Sequence, residues 1–398
     1  MAALEEDPFQ QYDLDDAIGF SLDWHPTRRL LAVALVTGQL KLLNCDGEEP
    51  TQAASSKPHE GACRNVRFAP DGESVLSVGS DGSLQRRDVA TNKRVWKHAQ
   101  AHGAAANALA CTGASGVATG DDDGAVKLWD LRQRTEALSF TESSDLVTDL
   151  AFVDGKAPTL VASSADGCLC TFDLRRGALG ASESSSSSWL SDIAPMKNGT
   201  KLVVGTESGV LGIFSWGDWG DVSDRLLGHP QSVDAVVPIN DDVLLSASSD
   251  GILRVVGVHP NRVLGVVGEH RDHPVEAIAL TADGERLASC AHDETVRLWD
   301  VGYLKELKHT ARGFKRRQEE AGSSGAQADA DGDGGDDDDD DDDSDDDGDD
   351  EGEEAAAPRG KRRVKAKAAA APPPPKQPKQ IRKKGTALAL PTDFFTGL

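Results

Sequence analysis

The stretch Arg286-Leu287-Ala288-Ser289-Cys290-Ala291-His292-Asp293-Glu294-Thr295-Val296-Arg297-Leu298-Trp299-Asp300 reads as two short strands around a tight turn. Val296 and Leu298 alternate with Thr295 and Arg297 at the period of two that a half-buried strand requires. Asp293-Glu294 supplies the turn between them. Residues such as Asp and Gly tolerate the positive φ that two-residue β-hairpins need.

The same unit recurs along the chain. Turns fall at Thr37-Gly38, Asp81-Gly82, Asp123-Gly124, Asp166-Gly167, Ser208-Gly209, Asp250-Gly251 and Asp293-Glu294, at successive spacings of 44, 42, 43, 42, 42 and 43 residues. A period of roughly 40–45 residues is that of a four-stranded propeller blade. An apolar run also repeats upstream of each hairpin: Ala17 to Trp24, Asn65 to Phe68, Asn107 to Cys111, Val147 to Phe152, Leu190 to Ala194, Val233 to Val237 and Val275 to Leu280. Outer strands are predicted at Arg94 to His98, Glu136 to Phe140, Asp224 to Gly228 and Arg262 to Gly268. The expected fold is all-β, a seven-bladed propeller over residues 1–310 with a tail over 311–398. Ring closure removes sheet edges. Pro8 to Leu14 is the expected closing strand, with Tyr303 to Leu307 as the alternative.

Six residues past each turn's first residue stand Leu43, Arg87, Trp129, Phe172, Phe214, Val256 and Trp299, and two of these open Trp-Asp pairs, Trp129-Asp130 and Trp299-Asp300. In this the units resemble WD40 repeats. The resemblance implies a side-chain network of His, Ser or Thr, Asp and Trp within a blade. The matching residues are His102, Thr119, Asp123 and Trp129 in blade three, and His270, Ser289, Asp293 and Trp299 in blade seven. Such a set lets buried indole, imidazole and carboxylate satisfy one another, where an unpaired buried polar group costs about 1–3 kcal/mol. His59 and His229 share the repeat position, so these histidines are expected to be structural rather than catalytic. Blades one, four and five lack the His, blade two carries Arg87 for Trp, and blade six ends Val256-Gly257.

A second resemblance lies in Trp129-Asp130-Leu131-Arg132, which looks like the WDxR box by which propellers dock on the damaged-DNA-binding adaptor of cullin-4 ubiquitin ligases. Phe172-Asp173-Leu174-Arg175 is a weaker copy that adds Asp173 and Arg175. Arg132, just past the strand, would aim a fork of donors at a partner carboxylate or carbonyl. An ordinary strand end is the competing reading.

Charge divides the chain. Its formal net charge is −25, and residues 1–304 hold 25 Lys and Arg against 44 Asp and Glu. An acidic body argues against a surface that coats nucleic-acid phosphates and for a platform that binds proteins. Cys45, Cys63, Cys111, Cys168, Cys170 and Cys290 contain no CxxC pair, so neither zinc nor a disulfide frame is expected. The apolar run Leu30 to Val36 is too short to span a bilayer, and Met1-Ala2-Ala3-Leu4-Glu5-Glu6-Asp7 lacks the positive start of a signal peptide, so an intracellular protein without membrane contact is expected. No phosphate-cradling Gly loop with Lys, GxSxG elbow or HExxH motif is present. No cofactor and no enzyme activity are expected. Trp216 and Trp219 read either as packing against blade five or as an exposed recognition pair, and Ser184 to Ser188 as a flexible loop.

From Gln318 to Glu354 the tail is Gly, Ala, Ser and acid, with unbroken Asp from Asp336 to Asp343, and a stretch so poor in apolar residues is expected to be disordered. The sign then reverses over residues 359–384. Arg359, Lys361, Arg362, Arg363, Lys365, Lys367, Arg382, Lys383 and Lys384 read as a nuclear or nucleolar address with weak affinity for RNA phosphates. A merely solubilising tail is the bland alternative. The order acidic-then-basic is compatible with self-masking, and Ser344 sits in an acidophilic-kinase context. Residues 393–398 end the chain with a candidate docking motif, Phe394, Phe395 and Leu398, in an otherwise polar tail.

Seven divergent repeats, the acidic-then-basic tail and the terminal Phe394-Phe395-Thr396-Gly397-Leu398 together resemble the eukaryotic WD repeat-containing protein 55 family. The resemblance implies a nucleolar scaffold in ribosomal RNA processing and ribosome biogenesis, with pre-ribosomal particles as partners and nuclear, nucleolar and some cytoplasmic residence. Two other expectations stand beside it: a cullin-4 substrate receptor, from the WDxR box, and a chaperone of histones or other basic proteins, from the acidic body and the Asp run.

Overall fold

The computed structural model describes residues 9–154, 158–183, 189–218 and 222–307; of residues 177–183 only the backbone is described. They form seven four-stranded antiparallel sheets. Each sheet is one blade, built by up-and-down hairpins, and blade one runs Gly19–Trp24, Leu30–Leu35, Leu40–Asn44 and Thr51–Ser56. The turn residues explain why the hairpins form where they do. Gly38, Gly82, Gly124, Gly167, Gly209 and Gly251 take φ of 66–82°, and Glu294 takes 61°. At Gly38 no other residue fits even sterically, because a β-carbon would lie 2.2 Å from the carbonyl oxygen of Gly61 at the entry to the next blade.

Blade seven is composite. Val275–Leu280, Arg286–Ala291 and Thr295–Asp300 are joined by Phe9–Asp13 on the outside, in the register Phe9↔Trp299 through Asp13↔Thr295. The N-terminal strand therefore closes the ring. Tyr303 to Leu307, the alternative, instead opens with a 3-10 turn, Gly302–Leu304, that buries Leu304 against blades six and seven.

Outer strands are where sequence and structure part. Arg94–His98 is as expected, while Thr135–Phe140, Asp224–Leu227 and Arg262–Glu269 shift by a residue or so at their ends. Thr51–Ser56 and Gly177–Glu183 carried no readable pattern. The reason is visible in the first of these. Four of its six residues are exposed, so it lies at the rim with no buried face to enforce alternation. Second strands are the opposite case: Ser74–Gly79, Gly116–Asp121, Thr159–Ser164 and Val243–Ser248 are buried at every position, being covered by a blade on each side.

The core lies between blades rather than within them. Trp129 of blade three packs with Leu76, Val78 and Leu84 of blade two, and Trp299 of blade seven with Leu245, Leu253 and Val255 of blade six. Trp216 packs against the cluster containing Leu202 and Phe214, which takes it out of any exposed pair. Trp219 and Ser184 to Ser188 lie outside the described residues.

Candidate functional site

Every first strand breaks register once, between its first residue and the second or third after it: Gly19/Ser21, Cys63/Asn65, Ala106/Ala108, Val147/Asp149, Leu190/Ile193, Val233/Ala235 and Val275/Ala277. A bulge of this kind re-aims a side chain out of the pleat. The residues so released are Phe20, Arg64, Asn107, Thr148, Ser191 with Asp192, Asp234 and Glu276, and all of them line one cavity of about 320 Å³. Sequence reading marked none of these positions. The available signal was a polar residue at the second position of the first strand in blades two to seven, recurring at the blade period from Arg64 to Glu276.

The cavity wall is knitted from blade to blade. Ser21 Oγ donates to Asn65 Oδ1 at 3.1 Å, Asn65 Nδ2 to the Asn107 carbonyl at 3.3 Å, and Asn107 Nδ2 to the Val147 carbonyl at 3.1 Å. Farther round, Asp149 accepts from the Ile193 amide at 3.1 Å and Asp192 from the Val236 amide at 2.7 Å. These bonds fix the wall side chains without consuming all of their polar capacity.

Charge is segregated around the ring. Arg64 and Arg67 stand on blade two, and both guanidiniums are engaged within the chain. Arg64 Nη1 meets Asp122 at 3.0 and 3.2 Å, and Arg67 Nη1 donates to the Val66 carbonyl at 2.9 Å. Asp149, Asp192, Asp234 and Glu276 occupy blades four to seven. Burial, and then the neighbouring Asp149, raise the Asp192 carboxyl well above the ordinary range, with Arg67 offsetting this only in part. Burial likewise raises Asp234, and it lifts Asp23, which is not part of the cavity lining, to about 6 against the pull of Arg67. Trp189, ahead of blade five, joins this lining with 42% of its surface exposed.

The buried networks of blades three and seven are now specified atom by atom. In blade seven, Trp299 Nε1 donates to Ser289 Oγ at 2.8 Å, Ser289 meets His270 Nε2 at 2.7 Å, and His270 Nδ1 meets Asp293 Oδ2 at 2.8 Å. Because a carboxylate only accepts, Nδ1 carries the imidazole proton and the serine hydroxyl donates to Nε2. Blade three repeats this with Trp129, Thr119 and His102 at 2.8 and 2.6 Å. Its carboxylate is a correction. Asp121, not Asp123, faces His102 Nδ1 at 2.8 Å, and Asp123 is exposed. Asp121 also accepts from the Asp123 and Ala125 amides, so it organises the turn from inside while Asp123 points outward.

His59 makes the same contacts to Ser77 and Asp81, with Arg87 turned to the Asn92 carbonyl in place of an indole. In blade six His229 reaches Ser246 at 2.8 Å, while Asp250 is taken by Arg254 through two bonds of 3.0 and 2.6 Å.

In the WDxR box the Asp130 side chain is buried and accepts the Arg132 amide at 2.8 Å, while the Arg132 side chain is 52% exposed. Asp173 accepts the Arg175 amide at 2.9 Å in the same way on blade four. The box residues are thus brought to corresponding corners of adjacent blades. The basic residues Arg359, Lys361, Arg362, Arg363, Lys365, Lys367, Arg382, Lys383 and Lys384, together with Phe394, Phe395 and Leu398, lie outside the described residues. Among the described residues no helix is long and apolar enough to cross a membrane, and no group of three or more His, Cys, Asp or Glu is placed to hold a metal ion.

Comparison with known proteins agrees with this architecture. The WDR55 family model matches residues 10–304. The chain is 35% identical over 291 residues to a WD repeat-containing protein 55 homolog of Dictyostelium discoideum, covering 73% of this chain and 70% of that one. It is 34% identical to WD repeat-containing protein 55 of Mus musculus and 35% identical to that of Arabidopsis thaliana, in each case over 73% of this chain and over 76% and 82% of the relative. With the matched segment running from the closing strand at Phe9–Asp13 to the last turn of the propeller, the chain belongs to the WD repeat-containing protein 55 family.

Proposed function

We propose that this WD40 propeller is a non-enzymatic scaffold for ribosomal RNA processing and ribosome biogenesis, working in the nucleolus on pre-ribosomal particles. The observation that carries the reading is the division of charge. Residues 1–304 hold 44 acidic against 25 basic side chains, whereas Arg359 to Lys384 is strongly basic. An acidic body is repelled by RNA phosphates and left free to hold proteins, while the basic segment supplies both a nuclear address and a sequence-independent RNA contact. The test is depletion followed by pulse-labelling of ribosomal RNA. Precursor intermediates should accumulate and be cleared by the full chain, but not by a chain in which the lysines and arginines of 359–384 are changed to glutamine. Normal precursor ratios after depletion overturn the reading.

A second reading, attachment to a cullin-4 ligase through its adaptor, has its own observation. The Arg132 guanidinium is held by the buried Asp130 at 3.4 Å and leaves about half of the side chain exposed, with donors still available to a partner acceptor. Co-precipitation with the adaptor that survives combined Arg132→Ala and Arg175→Ala substitution rules out direct use of these boxes.

A further inference from the structure

We infer that the axial cavity is a binding site for an arginine side chain presented by an extended basic segment of a partner protein. This deepens the scaffold reading by naming what the propeller's inner rim recognises, and it rests on that reading only in that the partner is a protein.

The first support is an excess of carboxylates, four against the two guanidiniums of Arg64 and Arg67 in the same lining. Asp149, Asp192, Asp234 and Glu276 share one cavity; Asp149 and Asp192 hydrogen-bond each other and backbone amides, Asp234 meets the Ser232 hydroxyl and the Ser249 hydroxyl at 2.6 Å, and Glu276 meets the His292 ring. Among the described residues none of the four forms an ion pair with Lys or Arg: Arg64 is committed to Asp122, and Arg67, bonded to the Val66 carbonyl, offsets Asp192 only in part. Buried carboxylates are ordinarily paired, since an isolated one is costly. Here the burial that raises Asp192 and Asp234 is the same penalty seen from the side of the proton, and an entering cation would relieve it.

The second support is Trp189. It belongs to the cavity lining yet leaves 42% of its surface to solvent, unlike the buried Trp24, Trp129 and Trp299. An indole face beside a carboxylate wall recognises a cation by both charge and π-electrons. The third is size. A volume of about 320 Å³ is at the small end for ligand pockets, adequate for one long side chain and small for a nucleotide-sized cofactor. Guanidinium suits the site better than ammonium because its planar fork bonds two carboxylates while stacking on an indole. Phosphate-bearing ligands are repelled by the same wall.

The test uses the full chain and two labelled peptides of glycine and alanine, one with a central arginine and the other with the neutral isostere citrulline. Fluorescence anisotropy should show the arginine peptide binding at least about tenfold more tightly than its twin, and less so as salt rises. The Asp336–Asp343 run also attracts cations, so variants assign the binding to the cavity. Trp189→Ala and Glu276→Gln change partly exposed side chains, and their combination should abolish the preference for arginine. Equal binding of the two peptides, no binding of either, or an arginine preference unaltered in the double variant overturns the proposal. A negative result here with precursor RNA still accumulating on depletion separates this site from the scaffold reading, which then stands alone.

Discussion

The bare face of Gly268 lies against the six-membered ring of Trp299, where a β-carbon would stand 2.1 Å from Cζ3 and 2.4 Å from Cη2. Gly268 belongs to the outer strand of blade six and Trp299 to blade seven, so the contact sets how closely the two blades approach. Gly268→Ala must push the indole off Ser289 or part the blades, and should destabilise by about 1–3 kcal/mol. Gly265→Ala, three residues along the same strand with nothing within 4 Å of its β-carbon, should be nearly neutral. Urea unfolding of the two variants checks the contrast.

Removing the carboxylate of Asp121 strands the His102 Nδ1 proton and the Ala125 amide together. Asp121→Ala is expected to cost about 3 kcal/mol, as losses within a buried network do, whereas Asp123→Ala on the exposed side of the turn should stay within about 0.5 kcal/mol. Equal losses for both would mean that the turn, rather than the network, is what matters.

Burial pushes the His229 imidazole down to about 4. A base whose folded value is depressed binds protons more readily when unfolded, so its stabilising contribution is complete above its ordinary value of 6.5 and is lost as pH falls through about 4. The shift corresponds to roughly 3 kcal/mol at its limit. His229→Gln should therefore show a shallower fall in unfolding free energy from pH 7 to pH 4 than the wild type. Parallel curves would refute the assignment.

Asp23 runs the other way. Raised to about 6 by burial, it contributes stability that is fully present below its ordinary value of 3.8 and is lost as pH rises through about 6. Asp23→Asn keeps an acceptor for the Phe68 amide, which Asp23 holds at 2.6 Å, and should gain on the wild type between pH 5 and 7.5 in thermal melts.

The strand Phe9–Asp13 covers the edge of Thr295–Asp300, and its Phe9 ring lies 4.9 Å from that of Trp299 and 4.7 Å from the Arg297 guanidinium carbon. Deleting residues 1–13 should uncover a pairing edge and produce both a lower melting temperature and oligomers on size-exclusion chromatography. A monomer of unchanged melting temperature would show that ring closure does not depend on this strand.

By itself the sequence determined the propeller, because a hairpin turn needs positive φ and the strands on either side of it need apolar residues to bury, and both requirements print on the chain at a 42–44 residue period. Pro8 to Leu14 was the expected closing strand because ring closure removes edges, and it was the resemblance to WD40 repeats that placed His102, Thr119 and Trp129 in one network. Exposed strands such as Thr51–Ser56 left no such print. What only the tertiary structure decided was which carboxylate meets His102, since Asp121 and Asp123 both flank the turn and side-chain direction there depends on the backbone path. It alone also revealed the axial cavity. Its wall is drawn from seven blades by seven bulges, and residues as distant in the chain as Arg64 and Glu276 become neighbours only when the ring closes.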